Sequence, residues 1–138
     1  MTVTVFTDGL SLPSNPGTGT YGYVIYDGAK KLAEGRGLAG VDVTSNYAEY
    51  TALVEALRKL KQLGVEGDIL VKSDSKLVVG QMAEGWKVKG GSYVGKLKEA
   101  RDLVRDFGLI TFQWIPREQN QEADLLTRVP YEEHLTRG

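Results

Sequence analysis

The chain opens with three consecutive segments that have the composition of β-strands, and this start restricts the folds available to it. The segments are Val3 to Asp8 (VTVFTD), Tyr21 to Tyr26 (YGYVIY) and Lys31 to Leu38 (KLAEGRGL). Glycines and prolines make Gly9 to Gly19 a predicted loop, and Asp27-Gly28 is a dipeptide typical of hairpin turns. Three strands without an intervening helix predict an antiparallel meander.

The rest of the chain is predicted to alternate helices with strands. Apolar residues recur at helical spacing from Thr44 to Leu63, with Thr44 or Ser45 as N-cap and Gly64 as the stop. The following segments are a strand at Asp68 to Ser73, helices at Ser75 to Met82 and about Tyr93 to Phe107, a strand at Leu109 to Ile115 and a helix at Gln119 to Arg128. Right-handed crossovers would make strands one, four and five parallel. We therefore expect an α/β fold with a five-stranded mixed sheet flanked by helices.

Size and composition predict a single domain. The 138 residues suffice for one hydrophobic core but not for two, and no linker divides them. We expect the domain at residues 1–129, followed by a polar C-terminal tail at 130–138 that frays. No apolar run approaches about 18 residues and the start lacks a signal-peptide pattern, so we expect a soluble, cytoplasmic protein that acts as a monomer.

The residue types that are missing limit the chemistry. The chain has no cysteine and only one histidine, His134, which excludes disulfide scaffolds, thiolate metal sites and histidine-based triads. Any reaction must use carboxylates, amides, hydroxyls or groups that a ligand supplies. The net charge of -1 provides no overall positive field, which by itself disfavours a simple basic nucleic-acid binder.

Two predicted strands end on aspartates, Asp8 and Asp74. Ligands of open α/β sheets bind beyond the carboxyl ends of the strands, and adjacent strands lie about 4.8 Å apart. Two carboxylates at that separation repel each other unless a cation lies between them. Either residue could instead be an ordinary turn or N-cap aspartate, Asp74 in particular.

Glu49 lies on the flank of the predicted buried stripe of the first long helix, beside Leu53, Ala56 and Leu60. An unpaired carboxylate costs free energy there, which favours a functional role. It could also simply serve the helix dipole.

The segment Trp114 to Thr127 (WIPREQNQEADLLT) offers a further acid, Asp124, inside the last predicted helix. Glu118 and Glu122 lie in the same segment, and spacing alone does not choose among the three.

Five motifs together resemble one family. They are FTDGL at 6–10, SNPGTGTYGYVIY at 14–26, TSNYAEYTAL at 44–53, KSDSKLVVGQM at 72–82 and WIPREQNQEADLLT at 114–127. Each is weak alone, but in this order they are specific, and over roughly residues 3–128 the chain resembles ribonuclease HI, most of all its archaeal-type branch. The resemblance implies an RNase H-like fold. It also implies an endonuclease that hydrolyses the RNA strand of RNA/DNA hybrids to 5'-phosphate and 3'-hydroxyl products.

The same resemblance implies a set of metal-binding carboxylates, carried onto Asp8, Glu49, Asp74 and Asp124, and so favours Asp124 over the neighbouring glutamates. Two Mg²⁺ ions, with Mn²⁺ as a substitute, would be the cofactors, since magnesium prefers oxygen ligands. Arg117 stands near the position where most bacterial relatives carry a histidine. A guanidinium does not lose its proton at ordinary pH, so Arg117 would not act as a base; it would neutralise phosphate or help product release, or merely pair with a nearby glutamate.

The expected substrate contacts come partly from the resemblance and partly from charge. Asn46 would read the minor groove, where the 2'-hydroxyl marks RNA, while Asn15 and Thr44 would form a phosphate pocket. Asn15 and Thr44 are equally a common turn residue and a common cap. The stretch 86–101 carries five cations and one acid, so Lys87 and Lys89 could follow a phosphate backbone or belong to a solvated face.

Other classes fit less well. A receiver-type signalling domain requires strict alternation of strands and helices, which the first three strands contradict. The 3'-5' exonucleases of the same superfold carry a DxE pattern on strand one, where this chain has Asp8, Gly9 and Leu10. A nuclease acting mainly on double-stranded RNA and a non-catalytic hybrid-binding module remain alternatives.

Overall fold

The computed structural model describes residues 2–137, which form one sheet and its flanking helices. The strands are β1 (Thr2–Leu12), β2 (Gly17–Asp27), β3 (Lys30–Val43), β4 (Asp68–Ser73) and β5 (Ile110–Trp114). The helices are α1 (Ser45–Leu63), α2 (Lys76–Ala83), α3 (Val94–Val104) and α4 (Gln121–Arg137), with a 3₁₀ turn at Arg117–Gln119.

The sheet has the strand order β3-β2-β1-β4-β5. The pairs β1–β2 and β2–β3 are antiparallel, whereas β1–β4 and β4–β5 are parallel. The predicted five-stranded mixed sheet is therefore confirmed. Because β1 and β4 are parallel neighbours, with Thr7 opposite Ser73, their carboxyl ends lie at one edge of the sheet.

Helix α1 packs across the sheet and supplies much of the core. Its Leu53, Leu57 and Leu60 are fully buried in one cluster with strand residues such as Val5 and Val71. The predicted helix ends are confirmed. The Thr44 hydroxyl accepts a hydrogen bond from the Tyr47 N–H at 3.1 Å, and Gly64 ends the helix in the left-handed conformation (φ 70°).

The first hairpin is longer than predicted, so the loop prediction for Gly9 to Gly19 is wrong for most of its length. Strands β1 and β2 pair as far as Leu12 opposite Thr18, which leaves only residues 13–16 as the connection. Pro13 and Pro16 have no N–H for the ladder, and their positions set the limits of this short turn. The next turn lies at Gly28 and Ala29, one residue later than predicted.

The C-terminal segment is helical rather than frayed. Helix α4 continues past the predicted end at Arg128 to Arg137, and Pro130 is buried within it. The helix packs on β2 and β3, and a salt bridge of 4.0 Å joins Glu133 to Arg36 of β3. Tertiary contact therefore orders a segment that its polar composition predicted to fray. Within residues 2–137, none of the helices has the length and apolarity needed to cross a membrane.

Candidate active site

Three carboxylates converge at the edge of the sheet where β1 and β4 end. Asp8 on β1, Glu49 on α1 and Asp74 after β4 each offer an oxygen atom, and these atoms lie within 4.8 Å of one another. Asp8 and Glu49 are only 5% and 8% exposed, and Asp74 is half-buried. The predicted convergence of these three acids is therefore observed. We call this group the acid cluster.

Glycine makes the approach of α1 to β1 possible. A Cβ atom on Gly9 would lie 2.3 Å from the carbonyl carbon of Ala48 and 2.4 Å from the Glu49 nitrogen. Any larger residue would push the helix away from the strand, and Glu49 away from Asp8. The Gly9 N–H also donates a hydrogen bond of 3.0 Å to Oδ1 of Asp8, which helps to fix that carboxylate.

Burial and mutual repulsion disfavour the ionised form of all three acids in the acid cluster. Burial, and then the charge of Asp74, raise the pKa of Asp8 to about 8. Burial and the charge of Asp8 hold the pKa of Glu49 well above its ordinary value, and burial also raises the pKa of Asp74. Among the described side chains, no lysine or arginine pairs with these three acids, and the buried Oε2 of Glu49 has no hydrogen-bond partner.

Asp124 lies in the same cleft but outside the compact group of three. It is carried by α4, and its charge contributes to the raised pKa of Asp8. Arg128, one turn later, lies 3.4 Å from its Oδ1. The helix reaches this position because Gly22, opposite Asp8 in the sheet, admits it closely: a Cβ there would lie 2.8 Å from the Leu126 Cβ.

The two glutamates that compete with Asp124 in the sequence lie elsewhere. Glu118 is exposed on the 3₁₀ turn. Glu122 faces the outer surface, where it pairs with Lys31 and accepts a hydrogen bond from Tyr26. Of the three candidates, only Asp124 lines the cleft.

The cleft above the acid cluster has a volume of about 470 Å³. Besides the acids, its walls include Asn15, Ser45, Trp114, Arg117 and Arg128. Arg117 is exposed, and its charge acts to lower the pKa of Asp74. The cleft is therefore lined by the acid cluster and by two cations, Arg117 and Arg128.

The predicted phosphate-pocket residues meet at the N-terminus of α1. The Asn15 amide donates to Oγ of Ser45 at 2.9 Å and accepts from the Ser45 N–H at 3.0 Å. Thr44 is the N-cap of the helix, which was the alternative to a role in phosphate binding. Asn46 is half-buried in the first turn. Asn15 is thus fixed to α1 at the cleft, beside the acid cluster.

Lys87 and Lys89 do not line this cleft. They are exposed on the segment between α2 and α3, residues 84–93, which we call the connector. The connector is held at both ends. Trp86 covers Gly80, where a Cβ would lie 2.1 Å from the indole ring. At the other end, the Gln81 amide donates to the Tyr93 hydroxyl at 3.0 Å.

Sequence reasoning missed Trp114 and Asn120, although both lie in the segment that contains Asp124. The Trp114 indole N–H donates to the Asp74 carbonyl oxygen at 3.1 Å. The Asn120 amide donates to the Thr7 carbonyl oxygen at 2.8 Å and lies 3.4 Å from Oδ2 of Asp74. Both contacts link segments far apart in the chain, so only the motif as a whole could have indicated them.

The Reverse transcriptase-like family matches residues 6–129 of the chain. Ribonuclease H of Hahella chejuensis is 32% identical over 147 residues, which cover 97% of this chain and 96% of that protein. Ribonuclease HI of Halobacterium salinarum is 34% identical over 125 residues. A bifunctional protein of Mycobacterium tuberculosis is 38% identical over 128 residues. The chain spans 34% of the Mycobacterium protein and 61% of the Halobacterium protein.

Solved structures agree with these matches. The RNase H1 of Halobacterium salinarum superposes with a TM-score of 0.87 at 32% identity, covering 96% of this chain and 99% of that one. The N-terminal RNase H domain from Mycobacterium tuberculosis gives a TM-score of 0.90 at 34% identity, covering 98% and 96%. LC11-RNase H1, solved in complex with an RNA/DNA hybrid, gives 0.89 at 32% identity, covering 96% and 99%.

Proposed function

The chain belongs to the ribonuclease H family, and from that premise we propose that it is an endonuclease that cuts the RNA strand of RNA/DNA hybrids with the help of divalent metal ions. The observation that carries this proposal is the acid cluster, in which three carboxylates lie within 4.8 Å of one another at the end of β1 and β4. Relatives named ribonuclease H share its fold over nearly the whole chain, and one of them is solved with an RNA/DNA hybrid.

The residues of the cleft fit a divalent metal. Their donors are all oxygens, which suits Mg²⁺ and Mn²⁺ better than softer metals. The unpartnered Oε2 of Glu49 and the raised pKa of Asp8 indicate acids that lack a positive charge within the protein. We propose Mg²⁺ as the cofactor, in two ions, with Mn²⁺ as a substitute. When bound, such ions activate water and stabilise the leaving oxygen.

Each acid then has a distinct task in our proposal. Asp8 and Asp74, at the ends of adjacent parallel strands, would hold the metal. Glu49 binds from the α1 side, and Asp124 from the α4 side. The four acids thus come from four different segments around one cleft. The products would carry 5'-phosphate and 3'-hydroxyl ends.

Arg117 acts as a cation and not as a base. It is exposed at the cleft wall, and a guanidinium does not lose its proton at ordinary pH. We propose that it neutralises a substrate phosphate or assists departure of the product.

We assign two groups of residues to substrate binding. Asn15 and Thr44 meet at the N-terminus of α1, where backbone N–H groups and the helix dipole favour phosphate. Asn46, in the first turn of the same helix, would read the minor groove at the 2'-hydroxyl. Lys87 and Lys89 on the connector would follow the backbone further out. The partner is an RNA/DNA hybrid in this proposal, and the monomeric state and cytoplasmic location stay predictions.

Cleavage of a labelled RNA/DNA hybrid tests the proposal. We expect Mg²⁺-dependent cutting of the RNA strand by the wild type, and loss of cutting in Asp8→Asn, in Asp74→Asn and in EDTA. Circular dichroism should show that both variants fold. Full activity of either variant, or of the wild type in EDTA, would contradict the assignment. Parallel reactions with double-stranded RNA and with double-stranded DNA define the substrate, and preferential cutting of double-stranded RNA would replace the hybrid in the proposal.

A further inference from the structure

Asn120 lies where three acid-bearing segments meet. Only 1% of the residue is exposed. The amide nitrogen donates to the carbonyl oxygen of Thr7, the residue before Asp8, at 2.8 Å. The same nitrogen lies 3.4 Å from Oδ2 of Asp74, and the Asn120 carbonyl accepts from the Asp124 N–H at 3.0 Å.

The two side-chain contacts use one NH₂ group, which has two hydrogens and can serve both acceptors. The shorter bond, to Thr7 of β1, fixes the plane of the amide. The second hydrogen is then directed towards Asp74, although 3.4 Å is long for a hydrogen bond. Asn120 therefore ties the carboxylate that follows β4 to the strand that carries Asp8.

The oxygen of the Asn120 side-chain amide makes an unfavourable contribution to the free energy of folding. Its Oδ1 is buried and has no hydrogen-bond partner among the described residues. An unsatisfied buried acceptor destabilises a fold, whereas an apolar side chain of the same shape would not carry that cost. The favourable contribution of this amide therefore comes from its donor side, through the contacts to Thr7 and Asp74, and not from packing.

We propose that Asn120 is a positioning residue that orients the Asp74 carboxylate for metal binding. It does not touch substrate in this role, and it acts through Asp74 alone. The inference rests on the proposed function, because it presumes that the acid cluster binds a divalent metal. Groups that orient metal ligands typically change metal affinity about 10- to 100-fold when they are removed.

The test compares Asn120→Leu, which keeps the branched shape, and Asn120→Ala with the exposed neighbour variant Gln119→Ala. Calorimetric titration with Mn²⁺ alone gives the metal Kd, and thermal unfolding in EDTA reports the metal-free fold. We expect the Mn²⁺ Kd of both Asn120 variants to rise about 10-fold or more, with Gln119→Ala unchanged. At saturating metal, the KM for a hybrid should return to the wild-type value.

An unchanged Mn²⁺ Kd in the two Asn120 variants would overturn the inference, even if their stability or activity fell. Failure of both variants to fold would also overturn it, because Asn120 would then serve the fold and not the metal site. A wild type that binds no Mn²⁺ would instead contradict the proposed function itself. The titration of the wild type therefore separates the two failures.

Discussion

Acids occur in two contrasting environments in this protein. On the outer surface, Glu122 pairs with Lys31 and accepts a hydrogen bond from Tyr26, and those contacts lower its pKa. In the cleft, Asp8 and Glu49 are buried with no cation from the described chain beside them, and burial raises the pKa of each. The surface acid is thus paired with a lysine of the protein, whereas Asp8 and Glu49 are free to pair with a cation that a ligand provides.

The lysines show the same contrast. Lys31 is occupied by Glu122 and by Glu34, the latter at 2.9 Å. Lys87 and Lys89 are exposed on the connector and form no salt bridge with the described side chains. Asp8, Glu49, Lys87 and Lys89, which form no salt bridge with the described side chains, are among the charges that we assign to ligands.

The largest effect is expected from a matched pair of Glu→Gln substitutions. Glu49→Gln should lower the rate of hybrid cleavage by about 10²-fold or more, because it removes a carboxylate that would bind metal from a preorganised site. Glu122→Gln makes the same chemical change on the surface and should leave the rate near that of the wild type. Single-turnover cleavage measures both, and equal losses in the two variants would remove the distinction between the two environments.

The second prediction concerns pH and the metal-free protein. The pKa of Asp8 in the folded protein is about 8, above its ordinary value of 3.8. The contribution of protonated Asp8 to the free energy of unfolding is therefore fully present below pH 3.8 and is lost as the pH rises towards 8. In EDTA, we expect the Tm to fall by roughly 5 °C or more between about pH 5 and about pH 8. Asp8→Asn should flatten this profile, and a wild-type profile that rises with pH would contradict the prediction.

The third prediction concerns the connector. Replacing Lys87 and Lys89 with alanine should weaken hybrid binding and reduce the dependence of log K on log salt by about one for each phosphate that the variant no longer neutralises. Lys31→Ala is the control, since that lysine is already paired. Binding isotherms at several salt concentrations distinguish the two, and an unaltered salt slope in the Lys87 and Lys89 variant would assign the connector to a merely solvated surface.

The smallest effect is expected at the surface acid itself. Lys31→Met should raise the pKa of Glu122 towards its ordinary value of 4.5, because Lys31 is the main cause of its lowering. Hybrid cleavage should not change. Titration of the Glu122 carboxyl by NMR follows the shift, and an unchanged pKa would mean that the Lys31 contact does not persist in solution.

The sheet and the convergence of the acid cluster could be predicted from the sequence, because both depend on local patterns. Strand and helix periodicity predicted the mixed sheet, and the position of aspartates at strand ends predicted the meeting of Asp8 with Asp74. The helical stripe placed Glu49 on the flank of the buried face, and the residue is 8% exposed.

Features that depend on distant contacts could not be predicted in this way. Spacing could not separate Asp124 from Glu122, because the distinction depends on Lys31, which lies on a remote hairpin. The helical continuation beyond Arg128 depends on packing against β2 and β3, and the role of Asn120 depends on its reach to Thr7. Each of these is a property of the assembled sheet.

In our proposal, a divalent metal supplies the positive charge that the acid cluster lacks. Calorimetric titration with Mg²⁺, of the wild type, Asp8→Asn and Glu122→Gln, tests it most directly. We expect binding by the wild type, the same affinity in Glu122→Gln and loss of measurable binding in Asp8→Asn. Equal Mg²⁺ affinity in Asp8→Asn and the wild type would contradict it.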